Sequence, residues 1–116
     1  MGEQAIQRSS TGRRTEPRRL ARLPTTAVDG RRVRVATTTR SRLLGLAFCD
    51  RDRVGGGLLI PGCRSIHTFG MRFAIDVAFL DAEGAVLSRR LELPRRRVVA
   101  DRRASAVLEV PTERRR

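Results

Sequence analysis

The stretch from Gly57 to Leu87, GLLIPGCRSIHTFGMRFAIDVAFLDAEGAVL, most constrains what this chain can become. Its apolar runs are short and bounded by turn formers: Leu58-Leu59-Ile60 stops at Pro61-Gly62, and Ile75 to Leu80 stops at Asp81-Ala82-Glu83-Gly84. Runs of this length between such punctuation are strands, not helices. A third run, Ala85 to Leu93, closes at Pro94, and Cys63 to Phe69 reads as a further extended segment. The same stretch holds the only histidine and one of the two cysteines.

The flanks extend the pattern. Val33 and Val35 alternate with Arg32 and Arg34 after the turn dipeptide Asp29-Gly30, which predicts a half-exposed strand entering a hairpin. The Thr37-Thr38-Thr39 cluster supplies N-caps for a short amphipathic helix over Arg40 to Phe48, where Leu43/Ala47 and Leu44/Phe48 are four apart. Val98-Val99-Ala100 predicts a short strand, and Ala106 to Val110 a last one, with Val107 and Glu109 alternating with Leu108 and Val110. Gly55-Gly56-Gly57 is not followed by Gly-Lys-Ser/Thr and leads into a strand, so it is a turn and not a phosphate loop.

Chain length adds one bound: 116 residues allow a single domain with a modest core. The expected division is a disordered basic tail over 1–25, one domain over 26–111 and a charged fringe over 112–116. All 25 basic residues are arginine, and the net charge is +13. Phosphate contacts accept lysine as readily, so the complete absence of lysine reads as compositional bias and weakens the charge as a sign of nucleic-acid binding. The chain has no Trp or Tyr, which leaves a base-stacking platform poorly supplied. Cys49 and Cys63 form no CxxC pair, and one histidine with two distant cysteines gives no metal-ligand spacing. No metal and no cofactor is expected. No apolar run is long enough to span a membrane, and the first twenty residues lack an apolar signal core, so the expected location is the cytoplasm with no membrane partner.

Several segments occur in an order that resembles one family. They are Arg42-x-x-Gly45-Leu46, Gly56 to Ile60, His67 to Arg72, Ile75 to Leu87 and Ala106 to Val110. The chain is similar over about Val28 to Val110 to the family called domain of unknown function 192. Met71 and Asp76 stand at positions the family shares, whereas Gly70 stands where a Trp is common and Ala74 where a Pro is common. The resemblance implies a compact α+β domain with a mainly antiparallel, barrel-like sheet; with the strand reading it gives about six strands and one or two short helices. It implies no activity.

The candidate site lies in the central stretch. On a strand Cys63, Ser65, His67 and Phe69 share a face, but four residues span roughly 13 Å, too far for a Cys-His pair to exchange a proton. A hairpin with Gly70 to Phe73 as its loop places His67 opposite Asp76, where Cβ atoms lie about 5 Å apart. Asp76, a charge within an apolar run, needs a partner; His67 and Arg72 are candidates, and the plainer alternative is that it pins the hairpin through backbone or arginine contacts. The ligand-binding candidates are Ser65, His67, Thr68, Met71, Arg72 and Asp76. The leading expectation is a domain that binds a small ligand or protein partner through Ser65–Asp76. The alternatives are an enzyme using His67 and Asp76 as an acid/base pair, and a basic accessory protein whose arginine tails bind nucleic acid or an acidic partner.

Overall fold

The computed structural model describes residues 17–113. A short helix, α1 (Arg18–Ala21), precedes the hairpin β1 (Thr25–Val28) and β2 (Arg31–Val35). Helix α2 (Thr39–Leu44) and a 3-10 turn (Arg51–Arg53) follow, and then come β3 (Leu58–Pro61), β4 (Ser65–His67), β5 (Ile75–Leu80), β6 (Val86–Leu93), β7 (Val98–Ala100) and β8 (Ala106–Pro111). Six strands form one sheet in the order β1-β2-β3-β8-β5-β6, and β4 pairs with β7 in a separate ribbon. Only β2 and β3 run parallel, joined by the crossover that carries α2; the other pairings are antiparallel. The fold class is α+β, as expected. The six-stranded ladder ends at β1 on one side and β6 on the other, so the sheet is open and the barrel-like closure is not formed among the described strands.

Local signals account for the two tight hairpins. Asp29 (φ 51°) and Gly30 (φ 74°) both take positive φ, the geometry that matches a two-residue turn to the twist of its strands. Asp81 closes the β5–β6 turn: its backbone N–H donates to Ala85 O, and its Oδ1 accepts from the N–H groups of Glu83 and Ala85, each at 2.9 Å. Helix α2 starts as the threonine cluster predicts. Thr38 Oγ1 accepts from Ser41 N, and Ser41 Oγ accepts from Thr38 N, a reciprocal cap. It stops at Leu44, shorter than the predicted Arg40 to Phe48, because Gly45 leaves helical geometry at φ 56°, ψ −131°.

Both faces of the main sheet are covered. On one face Leu46, Leu58, Ile60, Ile75, Val77, Phe79 and Val107 pack together; on the other Val33, Ala78, Leu80 and Leu108 do. β5 lies between β6 and β8 and feeds both layers by simple alternation. Leu20 and Leu23 join the first layer. Both lie in the segment read as a tail: α1 turns Leu20 inward, and the turn that follows it does the same for Leu23. Residues 1–16, the rest of that expected tail, lie outside the described residues. At the other end Thr112 also belongs to the fold, its N–H donating to Ala74 O at 3.0 Å, while 114–116 of the expected fringe lie outside the described residues.

The predicted hairpin of Cys63–Phe69 with Ile75–Leu80 is not formed. β5 pairs along its whole length with β8, from Ile75↔Pro111 to Leu80↔Ala106, and on its other edge with β6. No edge remains for β4, which pairs with β7 instead, His67 facing Val98 and Asp76 facing Val110.

Candidate functional site

A cleft of about 320 Å³ opens between the C-terminal end of α2 and the β4–β7 ribbon. Arg42, Leu43 and Gly45 form one wall, Ser65, His67 and Val98 the other, with Cys63 and Ile60 deeper and Glu109 of β8 at the floor. Glu109 is 2 % exposed, a carboxylate in a central strand. It shares a face with Val107 and so points into the larger apolar layer.

The loop after α2 is shaped around this carboxyl. The backbone N–H of Leu46 donates to Glu109 Oε1 at 3.1 Å. Gly45 lies so close that a Cβ there would sit 2.6 Å from Oε1, and its φ of 56° is one that side chains resist. Arg19 of α1 holds the loop from outside, donating to Gly45 O (2.8 Å), Ala47 O (2.5 Å) and Cys49 Sγ (3.3 Å). Arg42 reaches the far side, its Nη2 donating to Gly62 O at 3.2 Å. The Arg42-x-x-Gly45-Leu46 signature thus has a physical role: Arg42 ties α2 to the turn after β3, Gly45 permits the approach, and Leu46 supplies the donor.

Burial pushes the Glu109 carboxyl up to about 7, against the opposing pull of the Leu46 N–H and the positive charge of Arg19. It is therefore divided between acid and carboxylate near neutrality, the condition in which a carboxyl both gives and takes protons. His67 stands on the adjacent wall with Nε2 3.1 Å from Leu43 O. A carbonyl only accepts, so Nε2 carries a hydrogen in this contact, and Nδ1 is the other ring nitrogen. That Nδ1 is buried without a hydrogen-bond partner among the described residues. Cys63 donates its S–H to Ser65 O at 2.9 Å. Burial pushes the other thiol, Cys49, upward, away from a reactive thiolate.

Of the expected site residues, Ser65 and His67 line the cleft; the other four do not. Thr68 is fully buried, donating to Pro94 O (2.6 Å) and accepting from Arg97 N (2.8 Å), and so fastens the loop before β7. Met71 is a core side chain. Arg72 pairs at the surface with Asp50 at 2.9 Å. Asp76 Oδ1 accepts from the N–H of Glu92 (2.8 Å) and the hydroxyl of Thr112 (2.7 Å). Glu92 has φ 52° and sits where the β5–β6 register shifts, so Asp76 secures an irregularity in the sheet. The expected His67–Asp76 pair is absent, since each is committed to a different partner on a different ladder. Sequence reasoning missed Glu109 and Arg19. The first was signalled by a charge on the Val107 face of a short apolar strand; the second lay in a segment read as a tail.

Among the described residues no three His, Cys, Asp or Glu side chains gather to hold a metal ion, and no helix is long and apolar enough to cross a membrane. No curated protein and no solved structure matches the chain. The family described as an uncharacterised ACR matches residues 23–116, which include both walls and the floor of the cleft. The chain belongs to that family, domain of unknown function 192.

Proposed function

We propose that the domain binds a small ligand in the cleft, with Glu109 as its polar anchor. The observation that carries this reading is the buried carboxyl at the floor, whose Oε1 is tied to the Leu46 N–H and whose surroundings are otherwise apolar. A buried carboxyl in an open, preformed cleft is a common arrangement for fixing one polar group of a mainly apolar ligand. The fitting ligand carries an N–H or O–H donor for Glu109 and an apolar body against Ile60, Leu43 and Val98. Ser65 and His67 provide secondary polar contacts, so the Ser65–Asp76 stretch contributes its first half and not its second. The test is a thermal-shift screen of small polar-apolar molecules on the wild type, Glu109→Gln, Ser65→Ala and Asp76→Ala. Hits are expected to weaken in the first two variants and to persist in Asp76→Ala. Hits indifferent to Glu109 and Ser65, or none across the screen, would refute the reading.

A second reading rests on the position of the Glu109 titration near 7. With His67 on the same cleft, the acid/base pair of an enzyme would be His67 and Glu109, not His67 and Asp76. Turnover of a screening hit, abolished by Glu109→Gln with binding retained, would separate this reading from binding alone.

A further inference from the structure

Four large apolar side chains stand out in solvent around the cleft: Leu43 (69 % exposed), Phe48 (62 %), Phe69 (51 %) and Val98 (67 %). They are neighbours through His67 and Gly70. His67 bonds Leu43 O, pairs across the ribbon with Val98 and lies 6.0 Å from the Phe69 ring. Phe48 N–H donates to Gly70 O at 2.8 Å, and its ring covers Gly70 so closely that a Cβ there would be 2.7 Å from Cζ. Phe48 also has φ 65°, a conformation a bulky residue rarely adopts. The fold therefore holds an exposed phenylalanine in a strained backbone conformation.

Arginines are interleaved with these side chains. Arg18, Arg22 and Arg40 share a hollow with Phe48, Arg95 and Arg96 share one with Phe69, and Arg42 lies beside Leu43. Of the described residues lining the three hollows Glu109 alone is acidic, and it lies at the cleft floor. This lining is complementary to a surface that is anionic and offers apolar depth. Nucleic acid offers no depth for Leu43 and Val98. A protein interface normally gathers its apolar residues at the centre with charge at the rim. Here guanidinium groups alternate with apolar side chains, the arrangement in which arginines lie at headgroup level and apolar groups reach the acyl boundary. We infer that this face docks on the surface of an anionic lipid bilayer, inserting Phe48 and Phe69. Surface docking needs no spanning helix, and it adds a partner that the sequence reading had set aside.

The chain contains no Trp, so single substitutions make clean reporters. Phe48→Trp, Phe69→Trp and, as a control on β6 away from these contacts, Leu91→Trp would each be mixed with neutral phosphatidylcholine vesicles and with vesicles carrying phosphatidylglycerol. The expected result is a blue shift of emission for the first two on anionic vesicles alone, reduced by salt, with Leu91→Trp unchanged. In the otherwise native chain, Phe48→Ser with Phe69→Ser should lower partitioning into anionic vesicles by about tenfold or more. No shift at either phenylalanine position, or an equal shift at Leu91, would overturn the proposal. A shift with soluble polyglutamate but not with vesicles would overturn it too, and would assign the face to an acidic protein.

Discussion

Glu109 makes the stability of this domain depend on pH in an unusual direction. Its carboxyl titrates near 4.5 in the unfolded chain and at about 7 when folded. Between those values the folded state keeps a proton that the unfolded state has released, so stability falls as pH rises through this window and is level above it. A difference of about 2.5 pK units corresponds to roughly 3 kcal/mol, undiminished by solvent because the group is buried. With a urea m-value of about 2 kcal/mol/M, the unfolding midpoint should drop by roughly 1.5 M between pH 4.5 and 7.5. Asp101 acts elsewhere. Hydrogen bonds from Arg103 and Ser88 hold its carboxyl well below the usual range, so its contribution is lost only as pH falls below 3.8. Cys49, raised above 9.0, weakens the fold only in alkali. Of these three groups, Glu109 alone changes the stability between pH 4.5 and 7.5.

Urea titrations followed by circular dichroism at half-unit steps from pH 3.5 to 8 would measure this, with Glu109→Gln alongside. Glutamine keeps an acceptor for the Leu46 N–H and cannot titrate, so the part of the slope that Glu109 carries between 4.5 and 7.5 should be lost. The other titratable or charged groups around Glu109 include His67, Cys63, Cys49, Arg42 and Arg19, and all remain in that variant. A wild type that is flat across the window refutes the assignment of a protonated buried carboxyl. A glutamine variant with the wild-type slope refutes Glu109 as its source.

Two further outcomes follow from the same geometry. Gly45→Ala places a methyl 2.6 Å from Glu109 Oε1 at a positive φ, and should cost roughly 1–3 kcal/mol by denaturation; adding Glu109→Ala should recover the part due to the clash. Asp76→Ala strands the Glu92 N–H and the Thr112 hydroxyl, and should cost about 1–3 kcal/mol while leaving cleft ligands bound with wild-type affinity.

What the sequence made legible was local. The turns at Asp29-Gly30 and Asp81–Gly84, the threonine cap of α2 and the short strand Val98–Ala100 each depend on a few adjacent residues, and each is found where expected. What it hid was the choice of partner. Cys63–Phe69 and Ile75–Leu80 are neighbours along the chain, and a hairpin between them has the shortest loop to close. That advantage is small beside two full-length ladders on β5, which bury Ile75, Val77 and Phe79 on one side and Ala78 and Leu80 on the other. Once β5 is central, Asp76 has sheet backbone on both sides and serves it, while His67 turns to α2.

Glu109 depends on the same choice. In an edge strand AVLEV would show its glutamate to water, and nothing in those five residues says otherwise. Only the insertion of β8 between β3 and β5 buries both its faces. The requirement then spreads backward through the chain. A carboxyl in that position needs a donor and a gap, and Leu46 and Gly45 supply them sixty-three and sixty-four residues earlier. Gly70 leaves a second gap that Phe48 covers. The two glycines flank one loop, Gly45 fixing its inner contact with Glu109 and Gly70 its outer contact with Phe48. The cleft and the exposed Phe48 are therefore set by a single short segment, and a change at Gly45 should disturb both.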